Sequence, residues 1–75
     1  MAPPAMIYGA NGYTGRLIAA EAVRQGLKPL VAGRSRPAIE SLAAELQCPS
    51  RVFSLQDVAA ATRQLEGLRA VINCA

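Results

Sequence analysis

Apolar positions along this chain switch repeatedly between two spacings. Residues 5–8, Ala-Met-Ile-Tyr, form an unbroken apolar run that Gly9 ends. A strand covered on both faces of a parallel sheet reads this way, because neither face needs polar residues. Over residues 13–25 the pattern becomes helical: Gly15, Ile18, Ala19, Ala22 and Val23 share one face, and Gly26 stands where a left-handed cap would close the helix. Residues 28–32, Lys-Pro-Leu-Val-Ala, predict a second strand, with Pro29 confined to its start because it has no N–H to give a ladder.

The alternation then repeats. Residues 37–46 predict a second helix, with Pro37 in its first turn, Ile39, Leu42, Ala43 and Leu46 as its stripe, and Cys48-Pro49-Ser50 as its stop. Residues 51–54 predict a third strand through Val52 and Phe53. Ser54 and Asp57 have the spacing of a capping box, and Val58, Ala61, Thr62 and Leu65 continue as a third helical stripe ended by Gly67. Residues 69–74 predict a fourth strand, and Met1 to Pro4 a flexible tail. The order β-α-β-α-β-α-β implies an α/β fold with a parallel sheet and right-handed crossovers. The specific expectation is the N-terminal half of a Rossmann-type doubly wound sheet, strand order 3-2-1-4, within a full order of about six strands.

Composition narrows the function classes. The chain has 75 residues, 52% hydrophobic and 17% charged, which suits a packed core and excludes a disordered polar segment. Tyr8, Tyr13 and Phe53 are the only aromatics, so the core is expected to be aliphatic. The net charge of +3 comes from scattered Lys and Arg, with no basic run that would mark a nucleic-acid surface. There is no His, so neither a His-based metal site nor a His general base is available. Cys48 and Cys74 fit no zinc or C-x-x-C spacing and read as reduced, part-buried thiols. No secretory signal and no span of about 18–20 apolar residues is visible, so the expected location is cytoplasmic.

The candidate chemistry begins at Gly9-x-x-Gly12-x-x-Gly15, which joins the first strand to the first helix. Gly9 permits a sharp turn, Gly12 leaves the backbone open to a pyrophosphate, and Gly15 allows close packing of helix on strand. The first-turn N–H groups lack helical partners and attract anions, helped by the helix dipole. Asn11 can hold the loop's shape. Tyr13 and Thr14 can offer backbone N–H groups to phosphate, and the Thr14 hydroxyl can offer another. The rival reading is a glycine-rich turn that binds nothing.

A second signal lies at the end of the second strand. In an NAD site a carboxylate about 20 residues beyond the glycine loop accepts hydrogen bonds from the ribose. Here that place reads Gly33-Arg34-Ser35-Arg36, and no Asp or Glu occurs between Glu21 and Glu40. Arg34 offers a planar fork of donors to a 2′-phosphate, Ser35 adds a hydroxyl, and Arg36 adds longer-range attraction. NADP(H) is therefore the expected cofactor. The rival reading makes both arginines ordinary surface cations.

Three segments together resemble a known family. Residues 8–18 (Tyr-Gly-Ala-Asn-Gly-Tyr-Thr-Gly-Arg-Leu-Ile), 30–36 (Leu-Val-Ala-Gly-Arg-Ser-Arg) and 71–75 (Val-Ile-Asn-Cys-Ala) are similar to the N-terminal domain of saccharopine dehydrogenase-like oxidoreductases. The nearer likeness is to the bacterial branch that includes trans-acting enoyl reductases. The glycine-rich segment alone also resembles atypical and extended short-chain dehydrogenases. The resemblance implies pyridine-nucleotide-dependent redox chemistry, with Asn73, Cys74 and Ala75 near the cofactor and Ser54 and Leu55 beside the adenine.

The resulting expectation is the NADP(H)-binding part of such an oxidoreductase, with the rest of the domain and a substrate domain outside residues 1–75. No catalytic residue is assigned and no activity is expected of this stretch alone. A small-molecule substrate would be met by sequence beyond it. The alternatives are an NADP(H)-sensing regulator without turnover and an atypical short-chain dehydrogenase. Val71 and Ile72, on an outer strand, would allow self-association through that edge.

Overall fold

The structure is a computed structural model and describes residues 5–54 and 70–74, together with Gln56 and Arg63. Its elements are β1 (Ala5–Tyr8), α1 (Tyr13–Arg24), β2 (Leu30–Gly33), α2 (Arg36–Leu46), β3 (Ser50–Val52) and β4 (Ala70–Asn73). The strands form one sheet in the order β3-β2-β1-β4, and every neighbouring pair is parallel. This is the α/β architecture and strand order that the alternating pattern implies. The third predicted helix, Asp57 of the capping box, Leu55, Ala75 and the Met1–Pro4 tail lie outside the described residues.

Strand alternation divides the sheet's core in two. Ile7 and Val31 point to the face carrying α1 and α2, where they pack with Ala19, Ile39, Leu42 and Ala43. Met6, Tyr8, Leu30, Ala32 and Phe53 form a second buried cluster. Met6, Ile7, Leu30, Val31 and Ile39 are almost wholly removed from water, and each contributes on the order of 1.5–3 kcal/mol. The core is not purely aliphatic. Tyr8 and Phe53 are both buried, with ring centroids 5.1 Å apart and ring planes tilted by 55°.

Element boundaries follow backbone chemistry. α1 ends at Arg24, one residue before the predicted limit, in a Schellman motif centred on Gly26 (φ 87°). The Gly26 N–H donates to the Val23 carbonyl and the Leu27 N–H to the Ala22 carbonyl, each at 2.9 Å. α2 begins at Arg36, one residue before the predicted start, ends at the predicted Leu46, and closes with Gln47 in the left-handed region (φ 56°, ψ 46°). β2 begins at Leu30, after Pro29, and runs one residue further than predicted. β3 starts at Ser50, whose ladder partner is Val31. Beyond β3, the Phe53 N–H still donates to the Gly33 carbonyl at 3.0 Å. β4 lies on the outer side of β1, and its Val71 and Ile72 are 45% and 40% exposed.

No helix among the described residues is long and apolar enough to cross a membrane. None of their His, Cys, Asp and Glu side chains gather into a group of three or more that could hold a metal ion.

Candidate functional site

The carboxyl ends of β1, β2 and β4 converge on a cleft of about 530 Å³, lined by Tyr8, Gly9, Asn11, Gly12, Arg34, Ser35 and Cys74. This volume falls within the range of about 300–1,000 Å³ usual for small-molecule sites. The location is also where open parallel sheets place ligands, between strands whose connections run in opposite directions.

The glycine loop is fastened to β2. The Gly9 and Ala10 N–H groups both donate to the Ala32 carbonyl, at 2.8 and 3.2 Å, and the Gly12 N–H turns back to the Gly9 carbonyl at 3.0 Å. Gly9 adopts φ 79°, a conformation that side chains disfavour. At Gly15 the constraint is closeness: a Cβ there would lie 2.4 Å from the Gly9 carbonyl oxygen and 2.7 Å from Ala10 Cα. The glycine thus lets the helix rest on the loop backbone itself.

Gly12 is different. Its φ of −77° and ψ of 171° are open to any residue. A Cβ would meet only the Gly9 carbonyl oxygen, at an ordinary 3.4 Å. The fold therefore does not require glycine here, although the position lines the cleft. As N-cap of α1, Gly12 brings no side-chain hydrogen bond, and the first turn carries no acidic residue. Its carbonyl accepts the Arg16 N–H at 2.9 Å. The helix start consequently presents partial positive charge uncovered by a carboxylate.

Among the described residues, Arg34 is the only charged one in the cleft lining. Three other arginines are committed elsewhere: Arg16 to Glu45 at 3.7 Å, Arg36 to Glu40 at 3.0 Å, and Arg24 to Glu21. The Arg24 and Gln25 side chains hold the Glu21 carboxyl below its ordinary pKa. Arg34 is exposed and has no carboxylate partner among the described residues. Of the two arginines expected to attract a phosphate, Arg36 is thus paired along its own helix.

Gly9, Asn11, Gly12, Arg34 and Ser35 are brought together as the sequence suggests. Asn11 Oδ1 lies over β2, 3.0 Å from where a Gly33 Cβ would be, so Gly33 leaves room for the loop. Tyr13, Thr14, Gly15, Gly33, Ser54 and Asn73 stand outside the lining. Tyr13 is 82% exposed at the helix start. The Ser54 hydroxyl accepts the Gln56 N–H at 3.1 Å. Cys74 reaches the cleft at the end of β4, where its N–H donates to the Tyr8 carbonyl at 2.8 Å.

Tyr8 is the lining residue that sequence reasoning leaves among the apolar strand positions. Its signal was available: it is the one side chain of β1 with a polar tip, directly before the first glycine. A smaller hollow of about 250 Å³ lies at the far ends of the helices, bordered by Gly26, Leu27, Lys28, Leu46 and Cys48 among others. Compared with family models, curated proteins and solved structures, the chain finds no match.

Proposed function

We propose that this cleft binds NADP(H), and that the chain serves as the cofactor-binding part of an oxidoreductase of the saccharopine dehydrogenase-like kind. One observation carries the binding proposal: a glycine the fold does not need, Gly12, and an arginine with no carboxylate partner among the described residues, Arg34, line one cleft. Gly12 leaves open the space that a pyrophosphate would occupy beside the start of α1. The N–H groups there suit its negative charge. Arg34 and Ser35 offer a guanidinium and a hydroxyl to a 2′-phosphate, and none of the described lining residues is a carboxylate that would repel it.

When bound, NADP(H) supplies hydride-transfer chemistry. The described residues hold and orient the adenosine and pyrophosphate half. The redox assignment rests on the likeness of residues 8–18, 30–36 and 71–75 to that family.

Calorimetric titration of the chain with NADPH and NADH tests the binding proposal. The expected result is saturable NADPH binding at least tenfold tighter than NADH, with 2′,5′-ADP competing. Equal affinities would remove the assignment to Arg34, and no binding of either would remove the site.

A further inference from the structure

Tyr8, the last residue of β1, meets the carboxyl ends of β2 and β4 and the residue just beyond β3. It pairs with Ala32 of β2 and with Asn73 of β4. Its carbonyl accepts the Cys74 N–H at 2.8 Å. Its side chain, 3% exposed, crosses the buried face beside Ala32, and its hydroxyl donates to the Phe53 carbonyl at 2.8 Å. Ala32 lies in the strand between them.

The bond has a definite route to the cleft. Phe53 is gripped at both backbone ends: its carbonyl by the Tyr8 hydroxyl, and its N–H by the Gly33 carbonyl at 3.0 Å. Gly33 immediately precedes Arg34. On the other side, Ala32 is held to the glycine loop through the Gly9 and Ala10 N–H groups. Arg34 therefore leaves a strand end that is fixed from both flanks, and Tyr8 contributes to each. Through its backbone it leads directly into the loop. Through its hydroxyl it anchors the far flank.

We infer that Tyr8 is a positioning residue for cofactor selectivity: its hydroxyl, acting through Phe53 and Gly33, holds Arg34 at a fixed reach from the glycine loop. The inference rests on the NADP(H) reading above. It adds that selectivity depends on a buried hydroxyl on the opposite face of the sheet as well as on Arg34.

The test compares Tyr8→Phe with the wild-type chain for NADPH and NADH affinity, with the folded fraction measured in parallel by urea titration. Tyr8→Phe is expected to lower the NADPH-to-NADH affinity ratio by roughly two- to tenfold, the range spanned by one neutral hydrogen bond. A purely structural role would weaken both nucleotides in proportion and leave the ratio unchanged, which would overturn the inference. A wild-type chain without NADPH preference would overturn the NADP(H) reading together with it. If Tyr8→Phe does not fold, amide NMR of the wild type decides. Titration with 2′,5′-ADP should shift the Phe53 N–H, while 5′-ADP should leave it nearly in place. A Phe53 N–H indifferent to both ligands would likewise overturn the inference.

Discussion

Replacing Gly15 by alanine should damage the fold, although alanine is the better helix former. The new Cβ would sit 2.4 Å from the Gly9 carbonyl oxygen, 2.7 Å from Ala10 Cα and 3.1 Å from the Ala10 carbonyl carbon. Non-bonded carbons rest at about 3.5–4.0 Å, so α1 and the loop must separate by nearly 1 Å. All three atoms are backbone and none can rotate away, which puts the overpacking cost near the top of the usual range of about 1–3 kcal/mol. Moving the Gly9 carbonyl also weakens its hydrogen bond with the Gly12 N–H, worth about 1 kcal/mol. Helix propensity returns about 1 kcal/mol. The net is a destabilisation of about 2–3 kcal/mol, or about 10–20 °C in Tm for a domain of this size. Gly12→Ser is the matched control: its Cβ has room, and serine is a favoured N-cap, so stability should stay within about 0.5 kcal/mol or rise. Urea titration followed by far-ultraviolet circular dichroism measures both. Gly15→Ala at wild-type stability, or equal losses in the two variants, would refute the reasoning.

Gly12→Val should leave a folded chain that no longer binds NADPH, read by titration alongside circular dichroism. Arg34→Ala should weaken NADPH binding by about ten- to a hundredfold and NADH little, since a hydrogen bond to a charged group is worth about 1.5–3 kcal/mol. Gln47 occupies the left-handed region at the end of α2, so Gln47→Gly should stabilise the chain by about 0.5–1 kcal/mol while Gln47→Ala should not. Burial raises the Cys48 thiol pKa, with nearby Lys28 opposing it in part. The neutral thiol is favoured in the folded state, so stability should fall as pH rises from the ordinary thiol pKa through the raised one. Urea midpoints at neutral and alkaline pH should show a smaller loss in Cys48→Ala than in the wild type.

Much of the sheet was legible because β1, β2 and β4 are short, largely apolar and punctuated. The run Ala5–Tyr8 ends at a glycine whose positive φ the turn requires, and its predicted limits match the structure. Pro29 marks the start of β2, but the ladder begins only at Leu30, where N–H groups resume, two residues later than predicted. Gln47 carried no sign of its left-handed conformation, since glutamine is not a residue that prefers it. There, the αL turn accompanies a Cys48 N–H that donates to the Ala43 carbonyl at 3.0 Å. The cleft was half legible. Gly12 and Arg34 stand out as residue types with chemistry, whereas Tyr8 reads as one more apolar strand residue until the strand order shows that its hydroxyl can reach Phe53, just beyond β3. Arg34 and Arg36 are both read in sequence as attracting a phosphate, and the helix that starts at Arg36 commits that one to Glu40.

The shared Ala32 carbonyl sets when the loop acquires its shape. Because the Gly9 and Ala10 amides both close on a residue with no exposure, the loop cannot open without uncovering the middle of the sheet. Amide protons at Gly9 and Ala10 should therefore exchange with solvent at the pace of β2, as one cooperative unit, and more slowly than exposed turns. The ordering entropy of the loop is then spent during folding and not at ligand encounter. A ligand of the folded state would slow exchange across the whole unit together, by an amount set by its concentration relative to Kd.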